Sequence, residues 1–142
     1  MARDMTDDER RAFLMEVTRT AKVATASADG APHVTPVWFV LDGDDVIFTT
    51  HTSGVKGKHI LRDGRVAVLV EDDTPPFAFV LIQGTTEVSE DIDALVEWAT
   101  KLGGRYMGGH RGEEFGQRNG VAGELLVRVK ANKIIAKAGI SD

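Results

Sequence analysis

The stretch Phe77–Val88 constrains the fold more than any other part of the chain. Phe77, Phe79 and Leu81 alternate with Ala78, Val80 and Ile82, so a strand here is apolar on both faces. Side chains along a strand point alternately to opposite sides, and a strand with one wet face alternates apolar with polar. A strand covered on both sides fits a barrel better than a sheet open to water. Further strand signals lie at Lys22–Ala26, His33–Leu41, Val46–Thr50, Val66–Val70, Glu124–Lys130 and Asn132–Lys137. Asp29-Gly30 and Asp42-Gly43 supply turns between the early ones. Helical periods interrupt this pattern three times. Asp7–Thr18 opens on the capping box Thr6-Asp7-Asp8-Glu9. A helix over Thr52–Asp63 has Thr52 or Ser53 as its cap, and a third, capped by Ser89, runs to Tyr106. Strands and helices do not alternate regularly, which disfavours a doubly wound parallel sheet. The pattern predicts a mainly β fold: one small β-barrel domain over residues 1–142 with two or three helices.

Composition then removes several function classes. The chain has no cysteine, which excludes disulfides, thiolate zinc sites and thiol nucleophiles. This fits a reducing compartment, and the polar N-terminus reads as no secretory leader, so a cytoplasmic location is expected. No apolar run approaches the roughly 18 residues of a membrane span. A net charge of −5 argues against broad nucleic-acid binding. The segment Gly103–Gly123 holds eight of the fifteen glycines and reads either as a flexible connection or as a flap over a ligand.

Two stretches carry candidate chemistry. From His51 to Arg65, the cations Lys56, Lys58, Arg62 and Arg65 face a single anion, Asp63. Preceded by Thr49 and Thr50, and including Thr52, Ser53 and Gly54 at a helix start, this segment has the makings of an anion site. A solvated helix face is the alternative. Gly57-Lys58 is not a phosphate loop: Thr52 stands where that pattern needs its first glycine, and His59 follows the lysine. The second stretch is Pro32–Val40. Pro36 within a strand marks an edge, a bulge or a break, because it cannot donate to a ladder. A flat heterocycle could use the backbone groups beside it, while Trp38 and Phe39 would point to opposite faces. The four histidines show no metal-ligand spacing, and no serine sits in a nucleophile elbow. Tyr106 could donate a proton or complete an apolar helix stripe.

At these stretches the sequence resembles the pyridoxamine 5′-phosphate oxidase-like split-barrel family. It is most similar to the small actinobacterial-type branch that uses the deazaflavin coenzyme F420. The likeness is carried by Pro32-His33-Val34-Thr35-Pro36-Val37-Trp38-Phe39, then Thr49-Thr50, then Ser53–Val66, with Ile82–Val88 resembling the strand that leads into an acidic helix. His59 and Gly64 depart from the family's usual asparagine and proline. The resemblance implies a homodimer of split barrels with cofactor sites between subunits. Lys56, Lys58, Thr49 and Thr50 would hold the cofactor phosphate, with Ser53 and His59 beside them. Backbone at Pro36, Val37 and Trp38 would meet the ring system. It also implies hydride transfer from the reduced deazaflavin to a conjugated or quinone-like small molecule, with no catalytic side chain carried over and no metal. An FMN-dependent oxidoreductase of the same fold is one alternative; a non-enzymatic flavin-, deazaflavin- or haem-binding protein is another.

Overall fold

The computed structural model describes residues 1–142. The strands are β1 (Arg3–Asp4), β2 (Ala21–Ala26), β3 (Pro32–Val37), β4 (Val40–Asp42), β5 (Asp45–His51), β6 (Arg65–Asp72), β7 (Ala78–Ser89) and β8 (Glu124–Ala138). Helices α1 (Asp7–Glu16), α2 (Val55–Arg62), α3 (Ile92–Met107) and α4 (Gly112–Asn119) interrupt them, with a 3-10 turn at Gly109–Arg111. All pairings are antiparallel, in the order β3-β2-β6-β7-β8-β5-β4, and β1 pairs with β8. The fold is therefore a mainly β antiparallel sheet with four helices. No helix is long and apolar enough to cross a membrane.

One apolar cluster gathers Val23, Phe48, Val68, Val80 and Val127 from five different strands, together with Phe13 and Leu14 of α1 and Ile60 of α2. One face of nearly every strand meets at this cluster, so the sheet curls round a single core. A second cluster lies on the opposite side of β5 and β8. There Leu95 and Leu102 of α3 cover Val40, Ile47 and Leu126. The doubly covered strand of the sequence pattern is thus matched by a different pair: β5 and the first half of β8, Leu125 to Val129, are packed on both faces.

The capping box forms: Thr6 Oγ1 accepts from the Glu9 amide, and Glu9 Oε1 accepts from the Thr6 amide. The other two caps lie elsewhere than expected. Gly54 caps α2 without a side-chain bond, and Asp91 caps α3 by accepting from the Ala94 amide. Ser89 instead accepts from the N–H of Asp91, two residues on, in the turn before the helix. The expected strand His33–Leu41 is two strands. It breaks at Trp38-Phe39, where the Phe39 amide bonds to the Tyr106 hydroxyl rather than to a neighbouring strand. The two expected C-terminal strands are one, β8, whose pairing with β7 shifts register beside Gln83 and Gly84.

The largest correction concerns Gly103–Gly123, which is neither a flexible connection nor a flap. It contains the end of α3, the 3-10 turn and all of α4, folded back into a tight helical hairpin. Its glycines let the helices touch. A Cβ on Gly103 would lie 2.4 Å from Phe115 Cβ, and one on Gly116 would lie 2.1 Å from Thr100 Oγ1.

Candidate functional site

Pro36 lies on an edge strand: β3 pairs only with β2, with Pro36 opposite Lys22. An edge tolerates the missing donor. The chain then leaves the sheet, and Trp38 and Phe39 part. Phe39 enters the main core, whereas Trp38 packs on the outer cluster. Trp38 stacks on Tyr106 with ring centres 5.2 Å apart and meets Phe115 edge-on at 5.5 Å. The helical hairpin thereby fixes the indole in place.

Beneath Trp38, the ends of β3 and β5 and the start of α2 and β8 enclose a cleft of about 270 Å³. Its walls include Pro36, Val37, Trp38, Thr49, Thr50, His51, Lys56, Asn119 and Glu124. Six residues expected from the sequence to form a site therefore share one cleft: Pro36, Val37, Trp38, Thr49, Thr50 and Lys56. The other three do not line it. Ser53 is exposed in the turn before α2, and Lys58 is exposed on the helix, two residues beyond Lys56 and so on a different side. His59 turns to β2, where Nδ1 lies 2.8 Å from Thr25 Oγ1 and the ring meets His33 edge-on.

Lys56 is the distinctive group. It is half-buried, its ammonium donates to Thr35 Oγ1 at 2.7 Å, and burial alone pushes its pKa below the usual lysine range. No carboxylate pairs with it. A partly desolvated ammonium without a counter-ion is stabilised by an incoming anion. The uncapped start of α2 adds backbone N–H groups to the same region. The approach of α2 depends on Gly57, because a Cβ there would lie 2.0 Å from the His51 carbonyl oxygen.

Opposite Lys56 stand two residues that the sequence reading left out of the site, His51 as a ligand and Glu124 altogether. They are directly paired across β5 and β8, and His51 Nδ1 lies 3.0 Å from Glu124 Oε1. Burial pushes the Glu124 carboxyl above its usual range, and the His51 charge opposes that shift. The available signal was Glu124 itself, a carboxylate opening the apolar run Leu125-Leu126-Val127.

Tyr106 is committed elsewhere. Its hydroxyl donates to the Arg19 carbonyl at 2.6 Å and accepts from the Phe39 amide, and burial raises its pKa. It ties α3 to the chain preceding β2 and is not placed to give up a proton.

Beside a mostly apolar hollow of about 310 Å³ at Leu69, Phe77 and Ile140, two still larger hollows lack this chemistry. One of about 390 Å³ lies over the outside of β2, β6 and β7, where its charges Asp63 and Arg65 pair with each other. The other, of about 420 Å³, is bordered by Arg10 and Asp7, also mutually paired. The smaller cleft alone joins an aromatic wall, hydroxyls and a free ammonium.

A curled antiparallel sheet with a polar cleft at its edge defines a small split-barrel protein of the kind that holds a flat anionic ligand. The chain belongs to the pyridoxamine 5′-phosphate oxidase family, whose model matches residues 6–138. Among solved structures it is similar to a conserved hypothetical protein of Mycobacterium tuberculosis, with 28% identity, a TM-score of 0.83, and coverage of 96% of this chain and 87% of the other. An F420 reductase shares the fold at 24% identity and a TM-score of 0.68, over 87% of this chain and 94% of that one. So does an FAD-binding protein of Mesorhizobium loti, at 16% identity and a TM-score of 0.67, over 96% of both chains. No curated protein matches the chain in sequence.

Proposed function

We propose that this protein is an oxidoreductase that binds a phosphate-bearing flavin or deazaflavin in the cleft beneath Trp38, with coenzyme F420 the favoured cofactor. The observation that carries this reading is the half-buried Lys56 ammonium, bonded only to Thr35 and facing a cleft of hydroxyl and aromatic groups. Lys56 and the Thr49 and Thr50 hydroxyls suit the phosphate, and the Pro36–Trp38 backbone suits the ring edge. Bound there in its reduced form, the cofactor would supply hydride transfer to a small conjugated or quinone-like acceptor. The chain's own part is to bind, orient and exclude water.

The favoured F420 reading draws on the family resemblance, on the F420 reductase that shares the fold, and on the basic segment from His51 to Arg65 in an acidic chain. F420 carries a longer anionic tail than FMN, so its affinity should fall more steeply with salt as the Debye length shrinks.

A homodimer belongs to the same proposal. On the outer face of the sheet, Leu69, Leu81 and Ile135 sit side by side on β6, β7 and β8, with no helix over them. A second copy would cover this apolar row. It would also help enclose a ring system in a cleft that lies at the small end of ligand-site volumes.

The test is to titrate purified protein with F420 and with FMN, then to mix the reduced complex with a panel of enones and quinones in a stopped-flow instrument. Saturable binding and acceptor-dependent oxidation support the proposal. Tight FMN binding with no F420 binding moves the cofactor to FMN. Binding without oxidation by any acceptor makes the protein a carrier.

A further inference from the structure

We propose that His51 and Glu124 form a proton-delivering pair, in which Glu124 orients the His51 ring and His51 hands a proton from Nε2 to the acceptor reduced in the cleft. This rests on the oxidoreductase reading above and adds the residue that completes its chemistry.

The placement is built by sheet register rather than by chance proximity of surface groups. His51 ends β5 and Glu124 opens β8, and the two are direct cross-strand partners. Both line the cleft that also holds Trp38 and Lys56. The two members differ sharply in exposure. The Glu124 side chain is 9% exposed and the His51 side chain 75%. A buried carboxylate is costly unless it is paired, and the His51 ring is the side-chain partner that Glu124 has. Holding Nδ1 at 3.0 Å fixes the ring and leaves Nε2 as the free nitrogen. Carboxylate, imidazole and reacting group in that order are the arrangement by which a buried acid sets an imidazole's tautomer. The donating form of the ring carries a proton on both nitrogens, and its charge opposes the upward push of burial on the Glu124 carboxyl.

Adding a hydride to a conjugated carbonyl creates negative charge that must be quenched. An enone gains the hydride at its β-carbon; the C=C pair becomes a double bond between the α-carbon and the carbonyl carbon, and the carbonyl π pair moves to the oxygen. That oxygen takes the proton from His51 Nε2 as the N–H bond breaks. The reductant is the dihydroflavin or dihydrodeazaflavin of the proposed function. The exposed ring then regains its proton from water. The nearby Tyr106 is engaged with Arg19 and Phe39 and does not compete for this role.

The first test needs no cofactor. Long-range ¹H–¹⁵N correlation spectra of the free protein should show neutral His51 protonated on Nδ1. In Glu124→Ala the proton should move to Nε2, the form favoured by an unconstrained histidine side chain. The second test uses the loaded enzyme. His51→Ala should slow single-turnover reduction of an enone about a hundredfold, the lower end of general-acid effects. Added imidazole should restore at least tenfold of that loss, as a structural role would not. Glu124→Ala should slow the reaction by about tenfold, with a conservative Glu124→Gln closer to wild type. A neutral wild-type ring that carries its one proton on Nε2, an unaffected His51→Ala rate or an absence of imidazole rescue overturns the pair alone. Failure to bind either cofactor overturns the proposed function and the delivery role with it.

Discussion

The two walls of the cleft are built on opposite principles. On one side, α3 and α4 pack by glycine contact, Trp38 is clamped by Tyr106 and Phe115, and Arg105 donates to the carbonyls of Leu14 and Val17 at 2.8 and 2.9 Å as well as to that of Phe39. The Tyr106 hydroxyl and the Arg105 guanidinium there already have their partners within the chain. On the other side, Lys56 keeps an ammonium half out of water with one hydroxyl for company, and α2 begins without a side-chain cap. The first wall is finished by folding, whereas the second is left for a ligand to finish. Substitutions in the first should therefore move stability, and substitutions in the second should move binding.

The largest expected effect is on the hairpin. Gly116→Val drives side-chain atoms into Thr100 and the Val96 carbonyl and should cost about 3 kcal/mol in chemical denaturation, as overpacking does. A tolerated valine would make the hairpin as loose as its glycine content first implies. Arg105→Met should cost about 2 kcal/mol, because it strands carbonyls that the guanidinium now serves. Thermal melts of the two variants alongside wild type would order these effects.

These contrasts also explain what could be read from the sequence. The capping box at Thr6 and the turns at Gly30 and Gly43, with φ of 86° and 61°, are local, so a few adjacent residues specify them. The hairpin was not legible, because a glycine that permits helix contact looks the same in sequence as one that breaks a helix. The cleft was legible in part. Pro36 and Lys56 belong to stretches with a local signature, but His51 and Glu124 meet only through the register of β5 with β8. His59 illustrates the opposite error. It follows the basic run in sequence, yet helical geometry carries it to Thr25 and away from the cleft.

A smaller effect separates the walls by pH. Burial holds the folded-state pKa of Lys56 below its ordinary 10.5, so between those values the unfolded chain binds more protons than the folded one. The lysine thus weakens the fold at neutral pH, and this penalty lessens as pH rises through the folded-state pKa toward 10.5. Urea melts of wild type and Lys56→Met should converge in the wild type's favour at alkaline pH. A difference that stays flat would show that Lys56 is solvated like any surface lysine. The smallest effect is on Asp63, held at about 2 by hydrogen bonds from Arg65. Its contribution to stability is present above its ordinary pKa and lost as pH falls toward 2, so Asp63→Asn should flatten the acid limb slightly without touching cofactor affinity.

The most direct measurement is the affinity of wild type and Lys56→Ala for F420 and FMN at low salt, read by calorimetry and by quenching of tryptophan fluorescence. The account predicts saturable binding of one or both cofactors, weakened about ten- to a hundredfold in the variant by loss of a charge-assisted phosphate contact. Stability should change by no more than about 0.5 kcal/mol. Equal affinity in the two proteins, or no binding of either cofactor to wild type, would contradict it.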